Sequence, residues 1–182
     1  MEMAGDWSLI TGVDAERYFS LHEDLIEFDH LFSIETSDRS FAIVGAAFVD
    51  TLMEHILRNF FVADEKEVGR LLQPDQPLGT FGSRVTQVYC LGLVGKIVRN
   101  DLRLLARVRN RFAHDLRVSF EDEPVRSWCR QFKWHEIGMM MPPPDGATTR
   151  EIFEVAVNQL ICYLNGIASV ARTKRRVSPQ YS

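Results

Sequence analysis

Residues 40–62 read Ser40-Phe41-Ala42-Ile43-Val44-Gly45-Ala46-Ala47-Phe48-Val49-Asp50-Thr51-Leu52-Met53-Glu54-His55-Ile56-Leu57-Arg58-Asn59-Phe60-Phe61-Val62. Phe41, Val44, Phe48, Leu52, Ile56 and Phe60 recur at the three- and four-residue spacing of one helix face. Gly45, Ala46 and Ala47 are small enough to let another helix approach closely. So apolar a helix belongs at the centre of a core.

The same period extends outward in both directions. Upstream, Asp14 can cap a helix to Phe32 with Tyr18, Leu21, Leu25 and Phe28 on its face, and 35–40 reads as a polar loop with a cap at its end. Downstream, Asp64 and Glu67 resemble a capping pair before a short helix to Leu72. Gln73-Pro74-Asp75-Gln76-Pro77 is a break, and a helix follows through about Val94. Asn100 can cap a helix over 101–115, with Leu102, Leu105, Val108 and Phe112 inward. Val118-Ser119-Phe120 reads as a short extended piece, and Pro124 suits the start of a short helix to Phe132. Residues 138–146 form an irregular loop. Thr148 and Glu151 make a capping box for a last helix to Ala171, with Ile152, Val155, Ala156, Leu160, Tyr163, Leu164, Ile167 and Val170 on its apolar face. The basic run Arg172 to Arg176 closes it, in keeping with the helix dipole. The expected fold is all-α: one domain of five to seven helices over residues 1–176, with a frayed tail at 177–182.

Composition is that of a globular protein. The chain has 182 residues, 46% hydrophobic and 25% charged, with a formal net charge of −4. That balance argues against coating of duplex DNA, which runs on clustered cations. Cys90, Cys129 and Cys162 are widely spaced and form no C-x-x-C pair, as expected of free thiols. The acidic first twenty residues do not resemble an export signal. The apolar run Ile43 to Val49 falls short of the roughly 20 residues of a membrane span. The expectation is a cytoplasmic protein with no membrane segment. Glu54-His55 has no second His at zinc spacing, and no phosphate-binding loop, dinucleotide fingerprint or nucleophile elbow occurs. No cofactor and no metal are therefore expected. Trp128, Trp134 and His135 read as the edge of the core.

The segment Arg99 to Arg117 carries the chemistry. Arg99, Arg103, Arg107 and Arg111 are each four apart and stack along one slowly drifting stripe of a helix. Such a stripe can grip RNA or other phosphates, or be a solvated face paired with neighbouring acids. Within it, Asn110 and His114 share a face, while Arg109 lies about 140° around from His114. Two copies about a two-fold axis could bring Arg109 and His114 together. A His can move the proton of a 2′-hydroxyl or leaving oxygen, and an Arg can stabilise the transition-state charge. Asn110 would orient the imidazole or the phosphate. The structural alternative is that the three fasten the helix end to its neighbours. Gly79 and Gly82 around Phe81, with Arg84 behind, are either an anion-holding turn or a tightly packed helix start.

Two resemblances rest on these residues. Arg109-Asn110-x3-His114 resembles the Arg, polar, spacer, His signature of HEPN domains. That resemblance implies an all-α fold and metal-independent RNA cleavage at a dimer interface by Arg109, Asn110 and His114. A longer one runs from about Leu25 to Leu116, through Phe41–Ala47, Pro77–Arg84, Tyr89–Leu93 and Arg109–His114. It resembles the mannitol operon repressor (MtlR) family of bacterial regulators. This implies a helical bundle that controls sugar-alcohol uptake genes. No helix-turn-helix is visible, so sequence-specific DNA binding by the chain alone is not expected. A protein partner and a homo-oligomer, a dimer first, are expected instead. Because the longer resemblance covers more residues, the regulator takes precedence and the ribonuclease is the alternative.

Overall fold

The computed structural model describes residues 34–137 and 141–180, together with Ile26, Phe28 and Phe32. The chain divides into two compact units, residues 1–36 and 37–182. In the first, Ile26, Phe28, Phe32 and Ile34 are helical, and the rings of Phe28 and Phe32 stack 4.8 Å apart. The remainder of the expected helix from Asp14 to Phe32 lies outside the described residues.

The second unit is an all-α bundle. Its helices are α1 (Asp38–Phe60), α2 (Glu65–Leu72), α3 (Phe81–Cys90), α4 (Lys96–His114), α5 (Val125–Cys129) and α6 (Thr149–Thr173). A single 3-10 turn, Trp134–Glu136, follows α5, and the described residues contain no strand.

Helix α1 is central and packs on α6, α4, α3 and α2. Ser37 caps it by accepting from the Ser40 amide, so the helix starts at Asp38, two residues before the expected Ser40. Phe41, Phe48, Leu52, Ile56 and Phe60 are buried as their spacing requires, whereas Val44 is only half-buried. Buried Ala42, Gly45 and Ala46 on α1, and Ala156, Ala168 and Ala171 on α6, keep side-chain bulk out of the interior. Polar bonds fix the direction of the α1–α6 pair. At one end, Asp38 Oδ1 meets Arg150 Nη1 at 2.7 Å. At the other, Asn59 Nδ2 donates to the Ala168 carbonyl at 3.0 Å. Start meets start and end meets end, so the two helices run parallel. By length and hydropathy either could cross a membrane, but half of the α1 window and 39% of the α6 window are buried inside the bundle.

Further boundaries differ from the sequence reading. Helix α3 stops at Cys90 instead of reaching Val94. There Gly92 adopts a φ of 70°, the Gly92 amide bonds the Tyr89 carbonyl, and the Leu93 amide bonds the Val88 carbonyl. This is a Schellman ending, and the buried Leu93 supplies its apolar contact. Helix α4 begins at Lys96 behind Gly95, so Asn100 lies inside the helix and caps nothing. Val98, fully buried, draws this first turn into the core. The short helix ends at Cys129, with Pro124 as its cap residue.

The buried face of α6 is rotated from the expected one. Phe153, Val157, Ile161 and Ala168 are buried with Ala156, Leu160 and Leu164, while Val170 is 43% exposed. Its Thr148–Glu151 capping box forms as expected. Beyond α6, Arg175 Nε donates to the Asn59 carbonyl and the Arg176 amide to the Phe60 carbonyl, so the basic run closes the end of α1.

Aromatic rings fill the centre. Phe120 lies 4.9 Å from Phe112 and 5.1 Å from Phe153, and Phe41 and Phe132 also pack on Phe153. Burying each such ring contributes about 1.5–3 kcal/mol. Phe120 sits in a loop, where the sequence suggested an extended piece. Its amide donates to Asp38 Oδ2 at 3.2 Å, so a side chain replaces a ladder bond.

Candidate functional site

Helix α4 presents two unlike faces. Val98, Leu102, Leu105, Val108 and Phe112 are fully buried, which turns the arginines outward. The four stripe residues then behave differently. Arg99 lies 4.2 Å over the Tyr89 ring and donates to Asn100 Oδ1. Arg111 pairs with Asp115 at 2.9 Å. Arg103 and Arg107, between them, are exposed, and their side chains have no hydrogen bond or ion pair among the described residues.

A groove of about 530 Å³ opens beside those two. Arg130, at the end of α5, faces the same space, with Asn100, Gln131, Ile97 and Leu104. Lys133 also lines it but is paired with Glu136 at 2.6 Å.

Asp101 holds the groove together. Both of its carboxylate oxygens accept from the Lys133 amide, at 3.0 and 3.1 Å, which fastens the segment after α5 to α4. It is 1% exposed, and burial pushes its carboxyl up to about 6, against the lowering pull of the Lys133 and Trp134 amides. The fully buried Trp134 continues the anchor, its indole N–H donating to the Met141 carbonyl.

The sequence reading missed Asp101, Arg130, Gln131 and Lys133. A signal existed for Asp101. It falls on the 98, 101, 102, 105 spacing of the buried stripe, where a carboxylate needs a specific partner. Arg130 and Lys133 gave no such signal, because their neighbourhood with α4 is tertiary.

Arg109, Asn110 and His114 occupy the last turns of the same helix. Arg109 Nη1 donates to Asn110 Oδ1 at 2.9 Å, so that oxygen faces Arg109 and not His114. His114 is exposed, and no hydrogen bond joins it to Asn110. One chain therefore does not gather the three around a single atom. The nearby Ala113 carbonyl is capped by Arg39 Nη2 at 3.2 Å.

The turn before α3 is built around Arg84, which is 8% exposed. Its Nε donates to the Leu78 carbonyl, Nη2 to the Leu72 carbonyl, and Nη1 to Asp50 at 2.7 Å. Glu54 adds a second carboxylate at 3.3 Å. Every nitrogen of this guanidinium has a partner. Thr80 and Ser83 form a capping box that takes the amide an anion would need. A Cβ on Gly79 would run into the carbonyl oxygen of Gln73, whereas Gly82 faces open space. The geometry is that of a tightly packed helix start.

Cys129 is buried and its thiol is pushed up to about 12, while Cys90 and Cys162 are exposed. Among the described residues no three of His, Cys, Asp and Glu are grouped to hold a metal ion.

Comparison with known proteins places this geometry. In the solved structures, a chain of the MtlR–HPr complex from Escherichia coli superposes with a TM-score of 0.56 at 19% identity, covering 80% of this chain and 96% of that one. At that identity the likeness is one of fold. No curated protein matches the chain by sequence. The model of the mannitol repressor family matches residues 23–160, which include α1 to α5 and the first half of α6. The chain thus belongs to the MtlR, or mannitol repressor, family.

Proposed function

We propose that this protein is a cytoplasmic regulator of a mannitol operon that works through a protein partner, with HPr the first candidate. The observation that carries the reading is the family match over most of the chain. The fold likeness to a chain of the MtlR–HPr complex supports a protein partner.

The test is a reporter fused to the mannitol operon promoter of the host, measured with the gene present, deleted and restored. Deletion should raise expression without mannitol, and restoration should return it to the repressed level. Unchanged expression in all three strains would overturn the repressor reading.

A further inference from the structure

We propose that the groove between α4 and the segment after α5 binds a small phosphate-bearing anion, clamped by Arg103, Arg107 and Arg130. This goes beyond the regulator reading and does not depend on it.

The argument begins with charge. Arg103 and Arg107 are four residues apart on α4, so they are neighbours on the helix surface. Arg130 reaches the same concavity from α5. No side chain of the three has an acidic partner or a hydrogen bond among the described residues. Other arginines of this chain do find partners: Arg58, Arg70, Arg84, Arg111, Arg126 and Arg150 each pair with a carboxylate. Three like charges around one groove repel each other until an anion enters. Guanidinium, with its planar fork of donors, matches phosphate oxygens.

The shape decides the class of anion. A nucleic-acid strand needs cations spread along a track. Here the outer members of the stripe are engaged, Arg99 on Tyr89 and Arg111 on Asp115. The free charge is left as a compact group. At about 530 Å³ the groove falls in the range of small-ligand sites, roughly 300–1,000 Å³. Asn100 Oδ1 accepts from Arg99 and Gln131 Nε2 donates to Ser127, which leaves the Asn100 amide nitrogen and the Gln131 amide oxygen for hydroxyls, and Ile97 and Leu104 give an apolar wall for a carbon skeleton. The single lining carboxylate, Asp101, accepts from the Lys133 amide and is 1% exposed. These features fit a phosphate monoester of a small polar molecule.

The experiment is thermal unfolding of the full chain at constant ionic strength, with glycerol 3-phosphate, inorganic phosphate or chloride. At 10 mM, a ligand with a dissociation constant of about 1 mM raises Tm by roughly 3–6 °C over chloride. Arg107→Gln and Arg130→Gln should each weaken binding at least about tenfold, and Arg99→Gln should not. These side chains are surface groups, and circular dichroism of each variant confirms the fold. A larger rise with the ester than with phosphate places the organic part against Ile97 and Leu104; equal rises assign the site to the phosphate group alone. No rise over chloride, or a rise that survives both substitutions, overturns the proposal. So does binding only to an RNA oligomer that also requires Arg99 and Arg111.

Discussion

Replacing Arg84 by Met tests how the turn before α3 is held. The wild-type guanidinium makes two hydrogen bonds to the carbonyls of Leu72 and Leu78 and faces Asp50 and Glu54. Met fills much of the same volume and donates nothing. Each carbonyl then loses a charge-assisted bond, and leaving a buried acceptor unpaired costs about 1–3 kcal/mol. Asp50 and Glu54 are 28% and 31% exposed at the side chain, so water recovers part of their loss. The sum is about 3–5 kcal/mol, the range for breaking a buried ion pair from one side. For a chain of this length that lowers Tm by roughly 6–20 °C, read by circular dichroism. Arg84→Lys keeps the charge but not the fork, and should recover less than half of the loss. A drop below about 1 kcal/mol for Met, or full recovery by Lys, would refute the reasoning.

Three further outcomes follow from the same geometry. Asp101, raised to about 6 when folded and near 3.8 when unfolded, binds more protons in the native state between those values. The contribution of Asp101 to stability should therefore fall as pH rises from about 4 to 6. Asp101→Asn should gain on the wild type across that window by up to about 3 kcal/mol, measured by urea unfolding at a series of pH values. A flat difference would show that the carboxyl is not held in this way. Gly79→Ala should destabilise through the collision with the Gln73 carbonyl, whereas Gly82→Ala, facing open space within a helix, should be neutral or stabilise by about 0.5–1 kcal/mol. Ellman's reagent should titrate Cys90 and Cys162 quickly in the native protein, with Cys129 reacting only on unfolding.

Much of the fold is legible in the sequence because local signals and burial agree. The Phe41–Phe60 stripe, the Asp64 cap and the Thr148–Glu151 box each declare themselves within a few residues. The misplaced boundaries have tertiary causes. Asn100 is a good cap in isolation, yet Val98 has a core to fill, and the helix starts behind Gly95. On α6, Phe153 turns inward because Phe41, Phe120 and Phe132 wait there, which shifts the whole buried seam.

The site is legible only in part. The arginine spacing on α4 is visible to the eye. Which of its members are free depends on Tyr89 and Asp115, and the third member of the clamp, Arg130, comes from another element. The seam between α4 and the segment after α5 is set by Asp101 and the Lys133 amide. That contact spans 32 positions and follows no periodic pattern.

The most direct test of the regulator account is calorimetric titration of this chain with HPr, using the protein of the same host and that of Escherichia coli. The account predicts a saturable complex of defined stoichiometry, with an added RNA left intact in EDTA. No heat from either well-folded HPr, together with RNA cleavage that disappears in His114→Ala, would contradict it.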